Sequence, residues 1–448
     1  MRVAVVGAGI VGVTTAFELA SDGHEVTVFE RRATVAAETS FANAGLVAPG
    51  YVTPWAAPGM PARVLRSMFQ RHGPVRVDAG LDAATLLWMW KWWRACRRGS
   101  YAARRAGMQR LALFSRERLH QLTGKLRLDY ERSQGVLVLL RGAQELATAQ
   151  PGLALLNDLG IRHSVIDASG CRAVEPGLHP DTPLHAGIHL PDDEVGNCRQ
   201  FAHLLRSQAQ ALGVRFRFGM EVQRLVPGAQ PQLVLHQSAD VEADAPASNA
   251  DRPRNAFAPT APMPMQAVTE PSDAIVICAA LGSAALLAPH GLKLPLAPVY
   301  GYSVTAPMRH DESHPEREPR SAVMDERYKI AISRLGSRIR VAGSAELGGS
   351  LARHSDAALQ TLYKVLDDWF PGVARLSQAQ CWKGARPMLP DGPPLLGPSG
   401  IAGVWLNLGH GSTGWALACG SARVVADLMA SRSPAVDTAA FRVERLRR

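Results

Sequence analysis

The residues best suited to chemistry stand near the two ends of the chain. Near the start, Gly7-x-Gly9-x-x-Gly12 follows an apolar run, and Glu30 closes a second one. Glycines at this spacing allow a tight turn at Gly7, close approach of a pyrophosphate to the backbone at Gly9, and helix-on-strand packing at Gly12. The phosphates would meet the free amides of a helix N-terminus, and Glu30 would accept the hydroxyls of an unphosphorylated ribose. Near the end, Asn407-Leu-Gly409-His410-Gly411-Ser412-Thr413-Gly414 sets glycines and hydroxyls ahead of a helix predicted over 415–430. Amides at such a helix start would stabilise negative charge on a reduced flavin without a titrating side chain. His410 is a candidate acid or base there, set against a structural ring whose backbone alone lines the flavin.

These groups need elements to hold them. Arg2 to Val6 reads as a strand, about Ile10 to Asp22 as a helix stopped by Gly23, and His24 to Glu30 as a second strand. Thr39-Ser40-Phe-Ala-Asn43-Ala44-Gly45 is a small-residue turn, rich in backbone donors, where the chain would pass under a cofactor. A helical stretch is expected over about 61–126, then a strand over 135–140, with further helix and strand patterns to Leu190 forming a separate layer. Asn197 with Gln200 starts a helix that Gly213 closes, followed by short strands at 214–218, 221–226 and 232–236. Asp273 to Ala279 is an unbroken apolar run, as expected of a buried parallel strand. Tyr328 to Ser333 and Arg338 to Gly343 form a hairpin around Leu335-Gly336, the sign of an antiparallel sheet. Residues 238–272, rich in Ala, Pro, Asp and Ser, are expected to be a disordered insertion in a hairpin loop. A shorter polar loop follows at 308–320.

With 448 residues the chain can bury a large core and is expected to form two interleaved units. Six cysteines, with no Cys-x-x-Cys pair and no histidine at ligand spacing, argue against a zinc site or a disulfide framework and fit a reducing compartment. The first strand begins at Met1, which leaves no room for a signal peptide, and no apolar run reaches spanning length. The net charge of +10 concentrates between Arg63 and Arg118, where thirteen basic residues face three acidic ones. Within that stretch, Leu86-Leu-Trp88-Met-Trp90-Lys-Trp92-Trp93-Arg94 sets indoles beside cations, a pattern suited to anionic lipid headgroups. The competing expectation is a core helix with Leu86, Met89, Trp90 and Trp93 facing inward. No nucleic-acid module is visible.

The glycine triplet, Thr39-Ser40-x-Ala-Asn43-Ala-Gly45, Pro49-Gly-Tyr-x-x-Pro-Trp55-Ala-Ala-Pro-Gly59, Leu190-Pro-x-Asp193-Glu194, Lys329-Ile-Ala-Ile, Gly384-Ala-Arg386-Pro-x-x-Pro-Asp391-Gly392 and Gly409-His-Gly411 together resemble the bacterial D-amino-acid dehydrogenase small subunit. That family lies within the superfamily of D-amino-acid, glycine and sarcosine oxidases. The resemblance covers nearly the whole chain and departs at the insertion, which is longer than the family pattern. It implies an α/β fold (α+β overall), with a Rossmann-like FAD-binding domain (1–60, 191–290 and 387–448) interleaved with an antiparallel-sheet substrate domain (61–190 and 291–386). It implies non-covalent FAD held by Val6, Gly7, Ala8, Gly9, Ile10, Val11, Gly12, Glu30, Arg31, Ser40, Asn43, Ala44, Gly45, Val222, Gly282, Gly384, Gly409, His410, Gly411, Ser412 and Thr413. It also implies that Arg386 clamps a substrate carboxylate, with Tyr328 or Tyr302 as the assisting hydroxyl. A guanidinium suits that role because its planar fork binds a carboxylate bidentately and stays charged. The implied activity is oxidative deamination of D-amino acids to α-keto acids and ammonia, with electrons going to a respiratory quinone. The implied location is the cytoplasmic side, peripheral on the plasma membrane. Rival substrates within the superfamily are sarcosine, glycine, proline and hydroxyproline; a rival class is a non-catalytic FAD relay subunit, which has no use for a carboxylate clamp.

Overall fold

The computed structural model describes all residues except 69, 79, 239–267, 311, 312, 314 and 448. The strand Arg2–Val6 (β1) buries every residue but the first, as a central parallel strand must. It runs parallel to Glu25–Glu30 (β2) on one side and to Ala274–Ile277 on the other. The helix Ile10–Ser21 (α1) joins β1 to β2. A side chain at Gly12 would bring its Cβ to 1.9 Å from the Gly7 carbonyl oxygen, so the crossing of α1 over β1 requires glycine there.

The first sheet has six strands in the order 395–398, 404–408, 274–277, β1, β2, 215–218. Helices α1, Arg98–Leu126, Cys198–Ala211 and Gly414–Met429 cover one face through Val13, Leu111, Phe201 and Leu417. A three-stranded sheet of Met220–Val226, Gln232–Gln237 and Val268–Pro271 supplies Leu225, Leu233 and Leu235 to the core on the other face. The second of these strands pairs antiparallel with both others. The expected disordered insertion therefore departs from a hairpin, but its residues 239–267 lie outside those described.

The larger sheet has ten strands. Its main path runs 380–388, 297–307, 338–347, 330–335, 322–325, 133–140, 186–195, 46–47. The helix Asp356–Trp369 packs on one face through Leu362, Val365 and Trp369. The hairpin over 330–335 and 338–347 pairs antiparallel around Gly336. One departure from antiparallel pairing is central: Val136–Leu139 runs parallel to Ala322–Asp325. These strands are separated by the whole excursion through the first sheet, so no hairpin constrains their direction. For the same reason 133–140 and 186–195 are not a separate layer; they share this sheet with the strands between 297 and 388. Segments 1–60 and 191–290 supply strands to the first sheet and to the three-stranded sheet, but Leu46–Val47 and all of Ala186–Val195 belong to the larger one.

The stretch 61–126 is three helices rather than one. Met60–Met68 ends before a short strand, Val75–Val77, and Asp82 then caps Ala83–Ala95 by accepting from the Thr85 amide at 2.7 Å. The inward face of Ala83–Ala95 is also not the one expected. Trp88, Trp92 and Ala95 are buried, with Trp88 and Trp92 against the Trp55 ring, while Leu86, Leu87, Trp90 and Trp93 are each about half exposed. The indole N–H of Trp88 donates to the Met388 carbonyl at 3.0 Å, a buried bond that fixes this rotation. Among the described residues no helix is long and apolar enough to cross a membrane, and no group of side chains is arranged to hold a metal ion.

Candidate active site

The dinucleotide end is built from backbone. Gly9 caps α1 without a side-chain bond, so the first-turn amides are open except that of Ile10, which donates to Ser40 Oγ at 3.1 Å. Val11 lies in the same turn. Val6 ends β1, and the Ala8 amide donates to Glu30 Oε2 at 2.7 Å while the Arg32 amide donates to Oε1 at 2.9 Å. Burial raises the Glu30 pKa, and these amides oppose that rise. Arg31 turns toward Glu38 and Glu221, at 2.5 and 3.9 Å. Val222 and Gly282 flank this end: Val222 packs on the cluster containing Phe29, and Gly282 closes a turn just beyond Cys278, whose carbonyl lies against Gly7. An uncapped helix start, glycines where a Cβ cannot fit, and a carboxylate at the tip of β2 form a cradle that fits the adenosine diphosphate half of FAD.

The loop that follows is pinned on all sides. Asn43 Oδ1 accepts from the Gly45 amide at 2.9 Å, the Ala44 carbonyl accepts from Ser333 Oγ at 2.7 Å, and the Gly45 carbonyl accepts from Trp415 Nε1 at 3.0 Å. Thr39 donates to the Ala385 carbonyl at 2.7 Å, which sets Gly384 beside the loop. Across from it, Gly409 and Gly411 adopt positive φ of 77° and 56°, and the turn Gly411–Thr413, which includes Ser412, leads into Gly414–Met429 without a side-chain cap. The amides at this helix start suit the pyrimidine edge of a flavin.

His410 does not act as an acid or base here. Its ring is buried and bonds Ser421 Oγ at 3.0 Å on the far side of its own turn, while its backbone bridges Met388. Burial pushes its pKa down to about 3, so the ring is neutral in any working range.

Arg386 sits on the strand Gln380–Met388, opposite Val299. Its guanidinium donates to the carbonyls of Ser344 at 2.8 Å and of Tyr300 and Gly343 at 3.4 Å. Among the described residues no carboxylate pairs with it. It is closely surrounded by protein and keeps only part of its surface accessible. Burial alone lowers its pKa to about 10, which leaves it charged at neutral pH. Gly301 makes room for it, since a Cβ there would lie 2.1 Å from Arg386 Nη2.

Neither candidate tyrosine joins Arg386. Tyr328 precedes its strand, which starts at Ile330, and packs with the core under Asp356–Trp369, where Arg141 and Lys364 lie over its ring at 5.1 and 5.5 Å. Tyr302 belongs to the same core. It donates to Glu346, which also holds Lys383 at 2.7 Å, and burial followed by the Glu346 bond pushes its pKa upward. Strand alternation explains the placement of Tyr302: Tyr302, Val304, Ile330 and Ile332 share the helix-covered side, whereas Ala331 and Ser333 face the flavin loop.

The turn before the strand Ile330–Leu335 holds a group that the sequence reading missed. Lys329, one residue from Tyr328, donates to the Tyr51 hydroxyl at 3.2 Å and pairs with Glu326, and Tyr51 donates to Glu326 at 3.0 Å. Tyr51 lies in the Pro49–Tyr51 turn, a few residues beyond the flavin loop in the chain.

A model of the FAD dependent oxidoreductase family (DAO) matches residues 2–428. The D-amino acid dehydrogenase of Cereibacter sphaeroides is 43% identical over 448 residues, covering 99% of this chain and 95% of that protein. That of Bradyrhizobium diazoefficiens is 41% identical and covers 99% of both. Among solved structures, the glycine oxidase of Geobacillus kaustophilus superposes with a TM-score of 0.71 at 21% identity, covering 99% of this chain and 98% of that one, a likeness of fold. The chain belongs to the FAD dependent oxidoreductase family, and FAD is its cofactor.

Proposed function

We propose that this chain oxidises D-amino acids to α-keto acids and ammonia, with Arg386 as the carboxylate clamp and a membrane quinone as the electron acceptor. The observation that carries the reading is the deep, desolvated guanidinium of Arg386, bonded only to carbonyl oxygens. A cation so placed is unfavourable by several kcal/mol without a counter-ion, and a substrate carboxylate supplies one. The relatives named D-amino acid dehydrogenase support the substrate class. FAD, when bound, supplies the two-electron oxidation, taking hydride from the α-carbon at its N5.

The protein's share is positioning and charge. Arg386 fixes the carboxylate, so the α-hydrogen has one direction to leave in, and such orientation is worth a large part of the rate. The amino group must be neutral when hydride leaves. Tyr51, a few residues beyond the flavin loop in the chain, and its hydrogen-bonded partners Lys329 and Glu326 are candidates to receive that proton. The imino acid then hydrolyses without an enzymic base.

The exposed side of Ala83–Ala95 supports a peripheral membrane position. Leu86, Leu87, Trp90 and Trp93 project beside Lys91 and Arg94, and Leu65 and Met68 are exposed on the Met60–Met68 helix. Indoles flanked by cations favour the headgroup layer, and each basic residue near an anionic surface adds about 1 kcal/mol.

The test is anaerobic bleaching of the flavin band with D-alanine, L-alanine, sarcosine and D-proline added separately. Bleaching by D-alanine that persists until a quinone is added supports the proposal. Bleaching by sarcosine or proline instead moves the substrate, and no bleaching by any of them makes the chain a relay subunit.

A further inference from the structure

We propose that a cleft of about 670 Å³ beside the flavin loop binds a planar organic oxyanion, with its anionic group on Arg199 and Arg340 and its ring on Phe41 and Trp382. The cleft lies between residues 41–42, the start of the helix Cys198–Ala211, and the end of the larger sheet where 305, 338–340 and 380–382 come together. Its aromatic wall is set apart from the carboxylate clamp. Trp382 and Arg386 are four residues apart on one strand, about 13 Å at the usual rise.

Three guanidiniums line this space, and among the described residues only one of them is ion-paired to an acid. Arg338 pairs with Glu131 at 2.8 Å. Arg340 is 6% exposed and donates to the Asn43 carbonyl at 2.9 Å and to Thr305 Oγ1 at 2.8 Å, with no carboxylate partner among the described residues. Arg199 makes no hydrogen bond to the described residues; its guanidinium lies 4.0 Å from the centre of the Phe41 ring. Burial and repulsion from Arg338 lower the pKa of both, that of Arg340 to about 10. Like charges held this close are relieved by an anion shared between them.

The aromatic wall defines the rest of the ligand. Phe41 and Trp382 are 4.6 Å apart between ring centroids and tilted by 30°, which presents a broad apolar face next to the cations. A bare inorganic ion would use the charge and leave that face wet, whereas a flat ring carrying a carboxylate or phosphate uses both. A lipid-borne quinone fits less well. The cleft is at the Gln380 end of the strand, and the exposed tryptophan helix packs at its Met388 end.

Naphthyl phosphate and naphthoate, titrated calorimetrically into the FAD-loaded enzyme, test this. Saturable binding of one or both is expected, and the tighter one identifies the oxyanion. Arg199→Gln and Trp382→Leu should each weaken binding about tenfold or more, the loss of one charge-assisted bond or one stacking face, with flavin content and D-alanine turnover retained. Arg386→Ala should leave binding unchanged. Absence of saturable heat with both probes, or binding lost in Arg386→Ala but intact in Arg199→Gln and Trp382→Leu, overturns the proposal.

Discussion

Arg386 and His410 show how opposite needs are met by burial. Arg386 stays charged because its fork meets three carbonyls, and the cost of its desolvation is the force available to hold a carboxylate. Arg386→Ala should therefore lower kcat/KM for D-alanine about a hundredfold or more, the equivalent of about 3 kcal/mol, mainly through KM and with flavin retained. Steady-state kinetics beside the flavin spectrum checks this, and unchanged kinetics would remove Arg386 from its role. His410 is instead held neutral. Its folded pKa of about 3 lies below the ordinary 6.5, so the unfolded chain takes up the proton first as pH falls. The stability it contributes is complete above pH 6.5 and is lost on descending toward 3. At about pH 5 the loss is about 2 kcal/mol, so the melting temperature of the native protein should fall between pH 7 and 5 more steeply than that of His410→Gln. Equal slopes would place the ring in a titrating environment.

At the level of elements, the same apolar spacing had to serve two surfaces. On Ala83–Ala95, Trp88, Trp92 and Ala95 form one stripe and Leu86, Trp90 and Trp93 another, offset by two residues. Both fit a helix period, so the periodicity alone does not say which faces the protein. Trp90→Ser with Trp93→Ser should reduce sedimentation with anionic vesicles about tenfold or more, while turnover with a soluble acceptor is kept. Unaltered vesicle binding would move the membrane contact elsewhere. The first turn of α1 makes a sharper case, because Gly12→Ala drives a methyl into the Gly7 carbonyl. That variant should be isolated without FAD, and a full flavin complement would contradict the cradle.

Across the whole molecule, one carboxylate ties three helices together. Glu18, fully buried on α1, accepts from Arg118 of Arg98–Leu126 at 2.6 and 2.9 Å and from Arg423 of Gly414–Met429 at 2.8 Å. The last of these helices also holds the 43–45 loop, through the Trp415 indole N–H on the Gly45 carbonyl, so the same packing that closes the core fixes that loop. Glu18→Gln leaves Arg118 without its carboxylate, while Arg423 keeps Asp22 and Asp427, and should lower stability by about 3 kcal/mol in chemical denaturation, with flavin loss tracking unfolding. A shift near zero would show the pairs to be compensated.

The glycine cradle, the tip of β2 and the uncapped helix near the C-terminus were legible in the residues because they follow from local backbone sterics and from groups a few positions apart. The position of Arg386 was legible through its motif. The directions taken by its neighbours were not: Tyr328 and Lys329 are adjacent in the turn before Ile330–Leu335, where Lys329 has a positive φ of 53°, yet Tyr328 packs with the core under Asp356–Trp369 while Lys329 reaches Tyr51. Nor could the chain order show that Arg199, Arg338, Arg340 and Trp382 share one cleft, since strands 380–388, 297–307 and 338–347 meet only through long-range pairing. Period and turn chemistry are local, whereas the choice between two equally spaced faces depends on what packs against them, and only the folded core of Trp55, the Met388 carbonyl and the helix Asp356–Trp369 makes that choice.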